Sequence, residues 1–409
     1  MNGRRAGNAL NVTFGMLVTL TVMTSLAPYS VDSSLPGFPS AAEELDVAPS
    51  TMQLSISALL IGVAIGQLLF GTLSDRFGRR APLIAGVALS TVAAVVAALA
   101  PSVWVLIGAR LCQGLAGSAT VALGKAIIRD RTSGEDTTAI LTMTTVASGI
   151  LNLFASLIGG QFVAAFGWRG PLWFIAGYSA MVLVMVVLAM PETHAPEHRD
   201  VTSRWLGLPS IVRHLGNRRF MLWVLVQAGS YGALMAYVAS SSFVYQNQLG
   251  YDSATYGLLF SLNAAAAVTC NFVANRFLRH LGSTRLVALG LGLSMIGTAL
   301  VASSAALSAP AAVTAACITL SMAPLGLNGP NLVGLALNEV SRWTGSAAAT
   351  IGFVQFFVGA VVSPVVGMWG TDTIVPQVVS MFGLAAAAMT LLAVSVWRWG
   401  SPAADGQGR

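Results

Sequence analysis

Twelve mostly apolar runs, each about 20 residues or longer and separated by short polar or Gly/Pro breaks, constrain this chain more than any other feature. They are Asn11 to Pro36, Thr51 to Leu73, Ala81 to Ala100, Ser102 to Ile128, Thr137 to Phe166 and Trp168 to Met190. After a polar stretch follow Phe220 to Gln246, Ser253 to Leu278, Arg285 to Ala306, Pro310 to Asn338, Gly345 to Gly370 and Ile374 to Arg398. Twenty apolar residues are enough to cross a bilayer as a helix, and hydrocarbon leaves no other partner for the backbone. The composition agrees. Of 409 residues 55% are hydrophobic and 9% charged, where a soluble domain carries roughly a quarter charged residues. Such a chain cannot cover a water-facing surface, so it is expected to be an all-α membrane protein with lipid as a partner.

Charge placement gives orientation. The net charge of +6 could suggest nucleic acid in a soluble protein, but here the bases sit in loops between apolar runs, and no nucleic-acid partner is expected. With the N-terminus in the cytoplasm, inside loops hold Arg76, Arg79 and Arg80; Arg129 and Arg131; Arg199, Arg204, Arg213, Arg218 and Arg219; Arg276, Arg279 and Arg285; and Arg342. Outside segments hold Arg169, together with Glu43, Glu44, Asp46, Asp252 and Asp372. This asymmetry predicts both termini inside, in the inner (plasma) membrane. Arg4 and Arg5 before the first run, with Ser25-Leu26-Ala27, loosely resemble a signal peptide. The run continues to about Pro36 and more spans follow, so an uncleaved first helix is expected.

Cys112, Cys270 and Cys317 lie singly in apolar runs, without disulfide or metal spacing. His194, His198, His214 and His280 fall in polar stretches and read as solvated loop residues. No metal and no cofactor are expected.

The chain reads as two halves. Residues 1–190 and 220–409 each hold six runs, and the polar stretch 191–219 reads as a cytoplasmic linker. Phe77-Gly78-Arg79-Arg80, followed by Gly86, recurs as Leu281-Gly282-Ser283-Thr284-Arg285, followed by Gly290, and each opens the third run of its half.

Four stretches carry specific chemistry. Gly71-Thr72-Leu73-Ser74-Asp75-Arg76-Phe77-Gly78-Arg79-Arg80 links the second and third runs, its glycines suited to a tight reversal and close helix approach. Asp75 falls at a helix C-terminus, where the macrodipole disfavours an acid, so it needs a partner. Arg110-Leu111-Cys112-Gln113-Gly114 puts a base inside an apolar helix, costly unless paired or hydrated. Tyr29-Ser30-Val31-Asp32-Ser33-Ser34-Leu35-Pro36 puts an acid near the end of the first run. The fourth comprises Ala236 to Gln246, Tyr256 to Asn263 and Gly345 to Phe356.

The first of these resembles the signature loop of the major facilitator superfamily, and the second its span-four arginine motif. The third and fourth resemble the bicyclomycin-resistance (Bcr/CflA) branch of drug:proton antiporters. The resemblance covers nearly the whole chain. It implies twelve transmembrane helices in two six-helix bundles, with Gly71, Asp75, Arg76, Gly78 and Arg79 as a conformational latch between the halves. It departs in two places. Asn152 and Ser156 stand where prolines would be expected in the fifth span, between Gly149 and Gly160, and no acid lies in residues 10–29.

Counting ~1.5 Å per residue puts Asp32 and Arg110 at comparable depth in the outer half of the first bundle. They are expected to share a water-filled cavity or a direct pair and to carry proton coupling. Gln67, Gln113, Asn152, Gln227, Tyr231, Tyr237, Asn263, Asn331 and Gln355 are candidates for a central substrate cavity; each alone could instead be interhelical glue. Lys125 and Glu339 lie near inner helix ends, where snorkelling suffices. The expected function is proton-coupled efflux of small amphipathic molecules or drugs by alternating access. The protein would be a monomer driven by a proton gradient. A dedicated metabolite exporter, for amino acids for example, is the alternative in the same fold. An enzyme lacks any clustered catalytic residues here, and a channel lacks a repeated filter motif.

Overall fold

The computed structural model describes residues 12–132, 134–194, 214, 216–340, 344–370 and 373–399. Twelve helices are long and apolar enough to cross a membrane: α1 (Phe14–Glu44), α2 (Pro49–Phe77), α3 (Arg80–Ala98), α4 (Val103–Arg131), α5 (Ala139–Phe166), α6 (Gly170–Ala189), α7 (Arg218–Gln248), α8 (Ser253–Ala274), α9 (Ser283–Ala306), α10 (Ala311–Asn338), α11 (Ser346–Met368) and α12 (Val375–Trp399). No strand forms among the described residues. Most of the expected linker lies outside them, as do Arg4, Arg5, His198, Arg199, Arg204, Arg213, Arg342 and Asp372.

Three spans are interrupted. The first was expected to end at Pro36, but it continues. A helix to Asp32 passes into a 3-10 turn, Leu35–Gly37, and a short helix, Phe38–Glu44. Pro36 sits in the first turn of the new segment, where a missing N–H costs nothing. α5 breaks at Phe154 between Glu135–Leu153 and Ala155–Phe166 although no proline is present. α10 passes through a 3-10 turn at Ala323–Leu327, which carries Pro324. α7 remains helical throughout but ends in a single π turn, Val244–Gln248.

Small residues set the helix crossings, as expected where lipid removes any hydrophobic drive between helices. A Cβ on Gly114 of α4 would meet the Leu59 carbonyl of α2 at 2.0 Å, and one on Gly62 would meet the Leu111 carbonyl at 2.3 Å. The glycine of the Arg110–Gly114 motif is therefore a backbone contact. The repeat seen in the sequence is also a repeat of conformation. Gly78 (φ 89°) and Gly282 (φ 78°) turn the chain into α3 and α9. Eight residues on in each case, Gly86 lies against Ala116 and Ala119 of α4, and Gly290 against Pro324 and Asn328 of α10.

Helices α1 to α6 pack mainly on one another, as do α7 to α12, and the halves meet principally through α2 with α11 and α5 with α8. Helix alternation puts the arginine-rich loops on one face, the basic face, and Glu43, Glu44, Asp46 and Asp252 on the opposite, acidic face. The acidic side is sewn shut. Gln53 Nε2 of α2 donates to the Ala239 carbonyl of α7 (2.9 Å), Gln246 Nε2 to the Pro36 carbonyl (3.0 Å), and Leu157 N–H of α5 to Ser261 Oγ of α8 (3.2 Å). The Leu157 donor is available because the break at Phe154 leaves the new helix's first N–H groups without intrahelical partners.

Candidate functional site

Between the halves lies a cavity of about 530 Å³, on the basic-face side of this seal. The first half lines it with Thr24, Pro28, Val31 and Asp32 of α1, Leu59, Leu60, Val63 and Gln67 of α2, and Val121 of α4. The second half contributes Tyr231, Met235, Tyr237 and Val238 of α7, Phe260 and Asn263 of α8, Met322 and Leu325 of α10, and Gln355 and Phe356 of α11. Pro28, inside α1, removes the N–H that would satisfy Thr24's carbonyl, and both residues face the cavity. The wall is thus mostly aliphatic and aromatic with a few placed polar groups, the usual make-up of a small-molecule site.

Among the residues lining the cavity, Asp32 is the one charged side chain. It makes no ion pair among the described residues. The continuation of α1 to Glu44 places it twelve residues, roughly 18 Å, from the end of the span, deeper than the sequence count suggested.

The expected sharing of that cavity by Arg110 does not occur. Arg110 is 3% exposed and turned away from the cavity. Its Nη1 donates to the Ser30 carbonyl (3.0 Å) and to Gln113 Oε1 (3.0 Å). The physical reason is local. Ser30 lies in the last turn of the Phe14–Asp32 helix, where carbonyls lack partners and a cation is favoured. Asp32, two residues on and roughly 200° around the helix, faces elsewhere. Arg110 therefore holds the backbone that carries Asp32 without neutralising its carboxylate.

Of the nine cavity candidates, Gln67, Tyr231, Tyr237, Asn263 and Gln355 line the space. Four do not. Gln113 serves Arg110. Gln227 lies behind the wall and donates to Gln355 Oε1 (2.9 Å). Asn331 donates to the Leu327 carbonyl one turn back on its own helix. Asn152, beside the break in α5, has a buried Oδ1 without a partner. Asn263 is the most fully bonded member. Its Nδ2 donates to Tyr237 Oη (2.7 Å) and Tyr245 Oη (3.1 Å), and its Oδ1 accepts from Thr319 Oγ1. Tyr237 stacks on Phe260 with ring centroids 5.6 Å apart, so its position is set from two sides. Tyr245 and Thr319 are additions that the sequence did not single out.

The residues expected to form a latch between the halves bond to one another within the first half, and their bonds do not reach the second. Arg79 Nη1 donates to Asp75 Oδ1 (2.6 Å) and Ser74 Oγ (2.7 Å), and Nε to Asp130 Oδ2 of α4 (3.0 Å). Burial pulls the Arg79 pKa down; the bonds to Asp130 and Asp75 outweigh it and leave the guanidinium above its ordinary value. Gly78 makes the reversal, whereas Gly71 faces open space and Arg76 lies over the ring of Phe77. Glu192, just past α6, completes the cluster and was missed. Its carboxylate accepts from the backbone N–H of Arg79 (2.8 Å), Arg80 (3.3 Å), Thr193 and His194, and Thr193 Oγ1 donates to Asp130. Burial pushes the Glu192 carboxyl up, and these N–H donors together hold it below its ordinary value. The signal available was Pro191-Glu192-Thr193 directly after the sixth run. His214, expected to be solvated, is instead buried, with Nε2 2.8 Å from Ser346 Oγ of α11.

Comparisons with known proteins agree with this architecture. The family model described as Major Facilitator Superfamily matches residues 20–364. The chain is 29% identical over 365 residues to the uncharacterized MFS-type transporter YdgK of Bacillus subtilis, covering 89% of this chain and 90% of the relative. It is 27% identical over 382 residues to the bicyclomycin resistance protein homolog of Haemophilus influenzae, covering 91% and 94%. It is 24% identical over 341 residues to the multidrug resistance protein MdtL of Escherichia coli, covering 83% and 85%. In fold it is similar to the nucleoside transporter NupG (TM-score 0.73, 14% identity, covering 94% and 99%) and to a D-xylose–proton symporter (TM-score 0.72, 16% identity, covering 95% and 98%). With twelve membrane-capable helices around one central cavity and a family match over most of its length, the chain belongs to the major facilitator superfamily of membrane transporters.

Proposed function

We propose that this transporter is a proton-driven exporter of small amphipathic molecules, including drugs, and that Asp32 carries the coupling proton. The observation that carries the proposal is Asp32 itself, an unpaired acid on an otherwise uncharged cavity wall. A carboxylate there is costly while the cavity is dry and is relieved by a proton, by water or by a cationic group of a substrate. Protonation and substrate arrival thus compete for one group, which is the physical requirement for exchange. The apolar wall with Tyr231, Tyr237, Phe260 and Phe356 suits amphipathic cargo. The names of two relatives, bicyclomycin resistance and multidrug resistance, support the drug reading.

In this reading the basic face is cytoplasmic, by the charge asymmetry of the loops, and both termini lie there in the inner membrane. The sealed acidic side and the cavity on the basic side then describe an inward-facing state. Bundles 1–190 and 220–409, joined by the linker 191–219, rock about the central site. The transporter acts as a monomer, without a cofactor, on the energy of the proton gradient.

The test is transport in proteoliposomes with and without an imposed pH gradient. Asp32→Asn keeps shape and much of the hydrogen bonding but cannot titrate. Uphill export should fall to the no-gradient level while exchange of labelled for unlabelled substrate survives in part. Asp32→Asn vesicles that still concentrate substrate in response to the gradient would sink the proposal. One observation favours a second reading, export of a dedicated metabolite. The Asn263 side chain is committed to Tyr237, Tyr245 and Thr319, and such a fixed frame suits a selective site. Counterflow with a panel of drugs and amino acids separates the two.

A further inference from the structure

Away from the cavity, two helix ends distant in sequence converge on the basic face. α7 begins with Arg218 and Arg219, and α12 ends with Arg398 and Trp399. The two helices pack along one another. Arg219 lies over the Trp399 indole at 5.6 Å from the ring centroid, and Arg398 over the same ring at 5.4 Å. All three arginines are exposed, and none is in an ion pair or hydrogen bond recorded among the described residues. Glu339 is tied to the start of α7 through its backbone carbonyl, which accepts from Asn217 Nδ2 (3.2 Å), and its carboxylate is in no ion pair with any of the three arginines.

This arrangement is more than the arginine excess of an inside loop. The basic loop between α2 and α3 brings its own counter-charges in Asp75, Asp130 and Glu192, whereas no acid pairs with the arginines of the α7–α12 junction among the described residues. Arg218 and Arg219 also occupy a helix N-terminus with no acid in its first turn. That is the end where the macrodipole disfavours cations and attracts anions. Three guanidinium groups and a helix N-terminus therefore raise one patch of positive potential, and a shared indole holds two of the guanidinium groups in place. Arginine presents paired donors suited to phosphate oxygens. On the same helix end Trp397 is 86% exposed and Val394 is 41% exposed, so the patch adjoins an exposed apolar flank.

We propose that the α7–α12 junction binds the headgroup of an anionic phospholipid, with Arg218, Arg219 and Arg398 on the phosphate and Trp397 against the acyl chains. The shared chemistry is a phosphate, which could also come from solution; the apolar flank favours the lipid, since a free ion makes no use of it. Binding tethers the first helix of the second half to the bilayer surface at the end where the linker joins it. The site is remote from Asp32 and independent of what the transporter carries.

The experiment uses the purified full chain in detergent and reads thermal unfolding. Added phosphatidylglycerol should raise Tm by several degrees over the same amount of phosphatidylcholine. The double variant Arg219→Gln/Arg398→Gln should lose most of that difference, while Arg276→Gln, the same kind of exposed charge beside its own Phe277, should keep it. Trp399→Leu, which alters no charge, should weaken the response and guards against misfolding of the double variant. Native mass spectrometry should show phosphatidylglycerol retained by the wild type and lost from the variants. Equal shifts with both lipids, or a shift undiminished in the double variant and in Trp399→Leu, overturns the proposal. Inorganic phosphate reproducing the full shift also overturns it, in favour of a soluble-anion site.

Discussion

The loops that open α3 and α9 have the same backbone and opposite chemistry. Gly78 and Gly282 adopt the same left-handed reversal, and Gly86 and Gly290 seat the following helix on its neighbour in the same way. Yet Arg79 ties together Asp75, Ser74 and Asp130, with Glu192 capping the turn, while Ser283 stands where Arg79 does and holds no such network. The two halves thus share what the backbone needs and differ in their side chains. The first half is cross-braced at the basic face by charge; the second half has no such charge cluster among the described residues and is held there by packing and by uncharged bonds, His214 with Ser346 and Asn217 with the Glu339 carbonyl.

Substitutions can break this comparison at each level. The largest effect belongs to the shared turn. Gly78→Val and Gly282→Val force a β-branched residue into a region nearly reserved for glycine, at about 1–3 kcal/mol of strain each. Both should lower Tm of the purified protein to a similar extent, and Gly78→Val should also slow turnover. If only one of them destabilises, the two turns are not equivalent. Next comes the shared crossing. A Cβ at position 86 would lie 2.6 Å from the Ala119 Cβ, and one at position 290 2.3 Å from Asn328 Oδ1. Gly86→Ala and Gly290→Ala should each cost about 1–2 kcal/mol through overpacking, read by the same unfolding assay.

The side-chain level should separate the halves. Arg79→Ala removes charge-assisted bonds and leaves Asp75 and Asp130 facing each other, for about 1.5–2 kcal/mol, and should slow transport. Ser283→Ala should change stability by less than about 0.5 kcal/mol. Equal effects would mean that the charge cluster adds nothing to the turn. The smallest effect concerns pH. The folded Glu192 carboxyl titrates below its ordinary value, so its stabilisation is fully present above the unfolded value of about 4.3 and is lost as pH falls through the lower folded value. Tm measured across that range should fall more shallowly in Glu192→Gln than in the wild type.

Length made the fold legible. A run of about 20 apolar residues has one solution in lipid, so all twelve spans were readable to within a few residues except the first, whose extension to Glu44 depends on Pro36 restarting a turn. Residue type made the site half legible. Gln67 and Gln355 line the cavity, yet Gln113 and Gln227, equally polar and equally intramembrane, point behind it. Composition says that an amide is buried; only the rotation of its helix says where it points. The partner of Arg110 was illegible for a different reason. Besides Gln113 on its own helix, that partner is a backbone carbonyl, a group every residue carries, so the sequence offered Asp32 as the obvious partner and the helix end supplied another.

The seam between α5 and α8 has a further consequence. A Cβ on Gly160 would sit 2.4 Å from the Ser253 carbonyl, and one on Gly257 2.4 Å from the Ser156 carbonyl, while the Gly257 position is 3.3 Å from the Gly160 Cα. The two helices touch main chain to main chain, each glycine nested under the other's carbonyl. Such a joint has no rotamers to exchange and no interlocking knobs to lift clear. One helix can roll over the other with little change in the area in contact, as a shaft turns in a plain bearing. What resists such a roll is the one bond stitched across the joint, Leu157 N–H to Ser261 Oγ, together with the Gln53 and Gln246 bonds elsewhere on the seal. Free of those few bonds, the main-chain contact sets little preference of angle.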